Sequence, residues 1–201
     1  KGFATTHIQF DLAVFNTFVR DELVPFDIGS GRTAYRNAGR TERRGTEASV
    51  GMAFGQLTLN TTYTQSHFYF KDFLVGATQY AGKQIPGIPQ QQIQASVSWR
   101  NRFGYALVEW LAKDSVMVND ANSPLSVTRA SSTSPFAVLN LRVGAHAARG
   151  KPWLAPVFGV QNALDRKYVG SVAVNAAANR YYEPGPGRTW YLGLSAATAP
   201  W

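Results

Sequence analysis

The chain has 201 residues, of which 45% are hydrophobic, 13% aromatic and 16% charged, with a net charge of +8 and no Cys. A charged share well below the ~25% of ordinary soluble domains, beside many Gly, Tyr and Trp, favours strands. Lack of Cys excludes disulfide scaffolds, Cys-based zinc sites and a Cys nucleophile. No apolar run approaches the ~18 residues of a spanning helix, so any membrane crossing has to come from strands. The first residues, "KGFATTH", carry neither an initiator Met nor a signal-peptide pattern, and the chain is expected to be a piece of a longer protein.

The first expected strand, "IQFDLAVFNTFVRDEL", mixes polarity on both faces. A long link is expected around Pro25 to Arg36. In "TEASVGMAF", Ala48, Val50, Met52 and Phe54 oppose Glu47, Ser49 and Gly51, the period-two pattern of a strand with one apolar and one wet face. After a tight turn at Gly55, "QLTLNTTYTQS" sets Leu57, Leu59 and Tyr63 against Thr58, Asn60, Thr62 and Thr64. A long link, "HFYFKDFLVGATQYAGKQIPGIP", leads to "QIQASVSWR", where Ile93, Ala95, Val97 and Trp99 share a face. A short turn at Asn101 to Gly104 precedes the mixed strand "GYALVEWLAKDS".

The link through "VNDANSPLSVTRASSTS" is again long. "AVLNLRVGAHA" then opposes Leu139, Leu141 and Val143 to Asn140, Arg142 and His146. A short turn at Arg149 to Lys151 leads to "WLAPVFGVQNAL", in which Pro156 argues against a central strand position. The last link, Asp165 to Gly187, includes "SVAVNAAANRYY", which reads equally as a helical turn or a loop. In the final strand Trp190, Leu192 and Leu194 oppose Thr189, Tyr191 and Gly193.

Long and short connections therefore alternate along about eight strands of about ten residues each. That rhythm predicts an all-β, antiparallel transmembrane barrel segment, with short turns on the periplasmic side and long loops outside. The competing reading is a soluble antiparallel barrel or sandwich, told apart by solubility without detergent.

The chemistry-bearing motifs are sparse. "GPGR" matches neither the P-loop nor the dinucleotide fingerprint, and a strand rather than a helix follows it. His7, His67 and His146 lack metal-ligand spacing, so no metal site or cofactor is expected. "GLSAA" lacks the nucleophile-elbow form, and Asp21 and Glu22 are adjacent, so on a strand they face opposite ways; no catalytic residue is expected. The bases are dispersed, the densest group being "GRTERRG" from Gly39 to Gly45, and nucleic acid is not an expected partner.

The remaining candidates are aromatic and basic residues on the long links: Tyr35, Arg36, His67, Tyr69, Tyr80, Arg129, Tyr168, Arg180, Tyr181 and Tyr182. On outer loops they would hold an anionic, partly aromatic ligand by charge-assisted bonds and stacking. The competing reading is an interfacial aromatic girdle with bases facing lipopolysaccharide phosphates. Asn162, Asp165, Arg166, Glu183 and Arg188 are expected to be structural, fixing loop edges.

Five phrases, in order, resemble the C-terminal barrel region of the TonB-dependent outer-membrane receptors: "FNTFVRDELVPF", "YRNAGRTERRGTEASV", "IPGIPQQQIQASVSW", "GVQNALDRKYVGS" and "YYEPGPGRTWYLGLS". Ala163 and Leu164 stand where that family has Leu-Phe. Trp201 supplies a terminal aromatic, although the "AATAP" before it is weakly patterned. The resemblance implies that residues 1–201 are the closing part of a barrel of about 22 strands around a plugged lumen. It implies TonB-coupled uptake, without covalent chemistry, of a scarce chelate such as an iron–siderophore complex across the bacterial outer membrane. The implied partners are the TonB–ExbB–ExbD complex, reached through a plug that these residues do not contain, together with outer-membrane lipid and lipopolysaccharide. The alternatives are a small passive or structural outer-membrane barrel and a soluble secreted β-domain.

Overall fold

A computed structural model describes residues 6–29, 32–123, 131–146, 153–176 and 180–197. Among them there is no helix. The strands are β1 (Thr6–Asp27), β2 (Thr33–Phe54), β3 (Leu57–Asp72), β4 (Leu74–Val75), β5 (Thr78–Gln79), β6 (Gln91–Arg100), β7 (Gly104–Lys113), β8 (Phe136–Ala145), β9 (Trp153–Gln161), β10 (Val169–Val172), β11 (Tyr182–Pro184) and β12 (Thr189–Ala197). Eight of them form one antiparallel sheet in the order β1-β2-β3-β6-β7-β8-β9-β12. The pairs β4-β5 and β10-β11 are small ribbons inside the long connections. Within the sheet β1 and β12 each have a single neighbour, so the barrel segment is open.

Register explains which faces form. Residues directly opposite on paired strands share a face. Ile8, Met52, Leu59, Val97, Val108, Leu141, Val160 and Trp190 are successive partners, giving an unbroken apolar row across all eight strands. The next row, on the opposite face, runs Gln9, Gly51, Asn60, Ser96, Glu109 and Asn140. The apolar face is open to its surroundings, with Val14 75%, Leu192 74% and Phe18 68% exposed. A contiguous apolar wall of this size needs a lipid or protein neighbour.

The apolar band also drifts across the strands. On β1 it extends from Ile8 through Phe18, toward the long connections. On β12 it extends from Trp190 through Leu194, toward the short turns. Strands that tilt against a level membrane require such a drift.

Two departures from the expected elements have local causes. The link around Pro25 to Arg36 is mostly strand: β1 and β2 run on as a long hairpin, and beyond the ladder Ile28 N donates to Arg32 O at 3.0 Å. Likewise β3 continues through Asp72, so His67 and Tyr69 lie on a strand, not a link. The first strand carries Phe15 and Val19 on its polar side and Asn16 and Arg20 on its apolar side, and at its end Asp21, with a φ of 54°, drops out of the ladder between Arg20↔Arg40 and Glu22↔Ala38. Asp tolerates the left-handed region better than most side chains. The irregularity reverses the alternation. Phe18 and Arg20 point to the apolar side, whereas Glu22 points to the other, where Thr41 and Arg43 donate hydrogen bonds to its carboxylate.

Pro156 does sit in a strand, β9, opposite Leu194 of β12. Its missing N–H costs nothing toward β8, because that ladder ends at Gly144↔Val157. The two ends of "SVAVNAAANRYY" belong to the ribbon β10-β11, and residues 177–179 in its middle lie outside the described residues. The short turns hold at Gly55–Gln56 and at Asn101, whose side-chain Oδ1 accepts from Phe103 N at 2.8 Å and Gly104 N at 3.0 Å. The turn at Arg149 to Lys151 and the residues Thr198–Trp201 lie outside the described residues.

The compact core lies at the end of the long connections rather than between sheets. Val24, Ala38, Phe70, Phe73 and Ile85 form its buried cluster, with Phe68, Val75, Tyr80 and Ile88 packed on it.

Candidate functional site

Two surfaces have the chemistry to meet a solute: the polar face of the sheet and the knot of long connections at one end of it. On the polar face, Arg142 Nε donates to Tyr191 Oη at 2.8 Å. Gly159, between them in the register, makes this possible: a Cβ there would lie 2.3 Å from the Tyr191 ring. Asn60, Gln94, Ser96, Glu109 and Asn140, with Trp110 and Leu111, line a groove of 320 Å³ of mixed polarity. Nearer the short turns, the His146 ring packs on Tyr105 with centroids 5.8 Å apart, and its buried Nε2 has no partner among the described residues.

At the other end Asn175, with a φ of 53°, joins three connections. Its backbone N–H donates to Val118 O at 3.0 Å. Its side-chain Nδ2 donates to Pro25 O at 3.0 Å and to Asp120 Oδ2 at 2.9 Å, while its Oδ1 accepts from Asp120 N at 3.1 Å. A second clasp links Asn122 and Gln84: Gln84 N donates to Asn122 Oδ1 at 2.6 Å and Asn122 Nδ2 donates to Gln84 O at 2.9 Å. Gln90 Nε2 adds bonds to Gln84 Oε1 at 3.2 Å and Tyr69 Oη at 3.3 Å. Asp120 is 5% exposed. Burial pushes its carboxyl above the usual carboxylate range, against the opposing pull of the Asn175 hydrogen bond and the Arg36 charge.

The structure divides the candidate ligand residues. Arg36 lies with its guanidinium 4.0 Å above the Phe26 ring, beside the Asp120 knot. Tyr35 is exposed on the opposite side of the same hairpin. Tyr181 is buried, and its carbonyl accepts from Ala173 N at 2.9 Å, close to Asn175. Tyr182 begins β11 with its ring 6.3 Å from that of Tyr181, and Arg180 before them is exposed. Tyr80 packs on Phe73 at 5.4 Å in the core, and Tyr168 packs on Phe136 at 4.5 Å. His67 and Tyr69 stack on each other at 6.4 Å on the apolar side of β3. Arg129 lies outside the described residues.

The second group, expected as structural, sits at one corner. Asn162, with a φ of 48°, donates from Nδ2 to Arg166 O at 2.8 Å and Pro186 O at 3.1 Å, and its Oδ1 accepts from Arg166 N at 2.9 Å. Asp165 Oδ1 accepts from Arg188 N at 2.9 Å, and the two side chains approach to 3.8 Å. Ser171 donates to Glu183 across the β10-β11 ribbon. Thus "GPGR" is held against "NALDR": its Pro186 carbonyl and Arg188 amide are committed to the chain itself.

Sequence reasoning missed Gln84, Asp120, Asn122 and Asn175. Asn and Asp are the side chains best suited to left-handed turns, so "NDAN" and "VNAA" carried a readable signal for the turns, though not for their pairing.

The family model described as TonB dependent receptor-like, beta-barrel matches residues 1–163. Among solved structures, the siderophore receptor PiuA from Acinetobacter baumannii is similar at TM-score 0.70 and 16% identity, over 94% of this chain and 26% of that one. The ferric-catecholate import receptor Fiu from K12 E. coli is similar at TM-score 0.67 and 20% identity, over 94% and 25%. The copper transporter OprC is similar at TM-score 0.65 and 16% identity, over 93% and 27%. The chain thus spans about a quarter of the length of these structures. With a family match over most of the chain and an open antiparallel sheet of the corresponding shape, this chain belongs to the TonB dependent receptor-like, beta-barrel family.

Proposed function

We propose that this chain is the closing part of the barrel of a bacterial outer-membrane receptor that takes up a scarce chelate, an iron–siderophore complex. Energy would come from the TonB–ExbB–ExbD complex acting through parts of the receptor beyond these residues. The protein is a transporter, without covalent chemistry. The observation that carries this reading is the family match over residues 1–163 on a sheet with one apolar and one polar face. Similarity to the siderophore receptor PiuA and the ferric-catecholate import receptor Fiu supports an iron chelate as cargo. The small closed barrel fits less well, because β1 and β12 do not pair with each other. Ligand contacts are proposed at the long-connection end, where Arg180 and Tyr182 are exposed near the Asn175 knot and Tyr35 is exposed on the other side of the β1-β2 hairpin.

The similarity to OprC favours copper as a second cargo to be tested. A deletion strain of the full-length gene, grown under iron or copper limitation with isotope-labelled ferric siderophores or copper salts, tests both. Loss of ferric-siderophore uptake that returns with the gene, and disappears on removing TonB, supports the proposal. Unchanged iron uptake with a copper defect overturns the iron assignment. Uptake that persists without TonB overturns the energised mechanism.

A further inference from the structure

The densest basic stretch, Gly39–Gly45, takes no part in the reading above. Alternation along β2 divides it. Thr41 and Arg43 point to the polar side and hold Glu22. Arg40 and Arg44 point to the apolar side, and the register there creates an unusual surface. Arg20 and Arg40 are directly opposite each other on neighbouring strands. Facing like charges are destabilising unless an anion lies between them. Arg44 follows on the same face, with Asn16 and His67 as its cross-strand partners. Lys71 lies 2.6 Å from Glu42, and Arg40 lies 4.0 Å from Asp72. Two carboxylates therefore serve four cations: Glu42 also feels the Arg44 charge, and Arg20 enters no ion pair among the described residues.

The position of this group matters as much as its charge. Along β1 the outer face reads Leu12, Val14, Asn16, Phe18, Arg20. Along β2 it reads Val50, Ala48, Thr46, Arg44, Glu42, Arg40, and along β3 it reads Tyr63, Gln65, His67, Tyr69. The charges begin where the apolar band ends, on the side of the long connections, with Phe18, His67 and Tyr69 between them. Such a boundary is where a bilayer changes from acyl chains to headgroups, and where aromatic girdles sit. Guanidinium groups match phosphate oxygens in paired, charge-assisted bonds.

We propose that Arg20, Arg40, Arg44 and Lys71 form a binding site for the phosphate of a lipid headgroup in the leaflet on the long-connection side. The acyl chains of that lipid would rest on Leu12, Val14, Ala48 and Tyr63. Continuity with the apolar band favours a lipid over free phosphate. The site rests on the outer-membrane location proposed above.

The test uses full-length receptor purified from outer membranes in mild detergent, with retained phosphorylated glycolipid measured by mass spectrometry. Wild type is expected to retain at least about fivefold more than an Arg20→Gln, Arg40→Gln, Arg44→Gln variant, since charge-assisted phosphate contacts supply the affinity. The corresponding triple Lys variant should keep most of the lipid, enzymatically dephosphorylated glycolipid should not be retained, and excess inorganic phosphate should not displace the lipid. Equal retention by wild type and the Gln variant, equal retention of dephosphorylated lipid, or displacement by inorganic phosphate overturns the site. Heat-modifiable migration checks folding. If the triple Gln variant does not fold, Arg44→Gln alone is expected to lose about half the lipid, and full retention by it overturns the site. Absence of wild type from the outer-membrane fraction would instead overturn the location itself.

Discussion

Val97, Val108 and Leu141 occupy the middle of the sheet yet remain open to their surroundings, whereas Phe70, Phe73 and Val118, in the knot of long connections, are fully enclosed. The two regions obtain stability in different ways. Among the described residues the sheet has no second layer; its ladders satisfy the backbone between strands, and its apolar face needs a lipid or protein neighbour. The knot has an ordinary interior, in which apolar side chains meet each other and buried amides meet Asn and Asp. Substitutions should therefore be judged by region, not by residue type.

The largest expected effect falls in the knot. Phe70→Ala removes a fully buried ring and should cost about 3–5 kcal/mol. Hydrogen exchange on the full-length receptor should show the loss concentrated in residues 66–90; an equal loss across β7 and β8 would break the division into two regions.

Next comes the apolar row. Val108→Arg should cost about 2–4 kcal/mol in lipid, while Ser96→Arg on the polar face should cost well under that. Urea unfolding in vesicles measures both. Similar costs would mean that the two faces are wrongly assigned.

Asn162→Ala strips bonds from Arg166 and Pro186 and should cost about 1–3 kcal/mol, read as increased exchange in residues 162–188. No change there would remove the corner from the set of structural determinants.

The smallest effect concerns Asp120. Its carboxyl is raised in the folded knot, so the folded form binds the proton more tightly than the open one. The resulting stabilisation is complete below the ordinary value of 3.8 and is lost as pH rises through the higher, folded value. Exchange protection of residues 116–122, corrected for intrinsic rates, should fall over that interval in wild type. It should stay flat in Asp120→Asn, which keeps an acceptor for Asn175. A wild-type profile that rises with pH would reverse the assigned cause.

Much of the sheet was legible because strand alternation is local. Leu57, Leu59, Val97 and Trp99 declare their face within a few residues, and the long–short rhythm fixes the antiparallel order. The first strand was harder. Its alternation is reversed at Asp21, and a left-handed residue inside a strand leaves no sign in composition. For the same reason the links around Pro25–Arg36 and His67–Asp72 looked like loops: their polarity suits the ends of long hairpins as well as it suits coil. The candidate ligand residues were visible by type, but their surroundings were not. Tyr80 and Tyr181 are packed away, while Tyr35 stays exposed on its hairpin.

The sequence by itself determined the all-β class, the apolar and polar faces and the alternation of connections, since each depends on neighbours a few positions away. Tertiary structure alone decided that Asn175 reaches Pro25 and Asp120, that Asn122 clasps Gln84, and that Arg20 meets Arg40. Those contacts join residues from distant parts of the chain. A side-chain amide or a guanidinium carries no record of the distant partner it will meet; only strand register and the closing of the connections supply it.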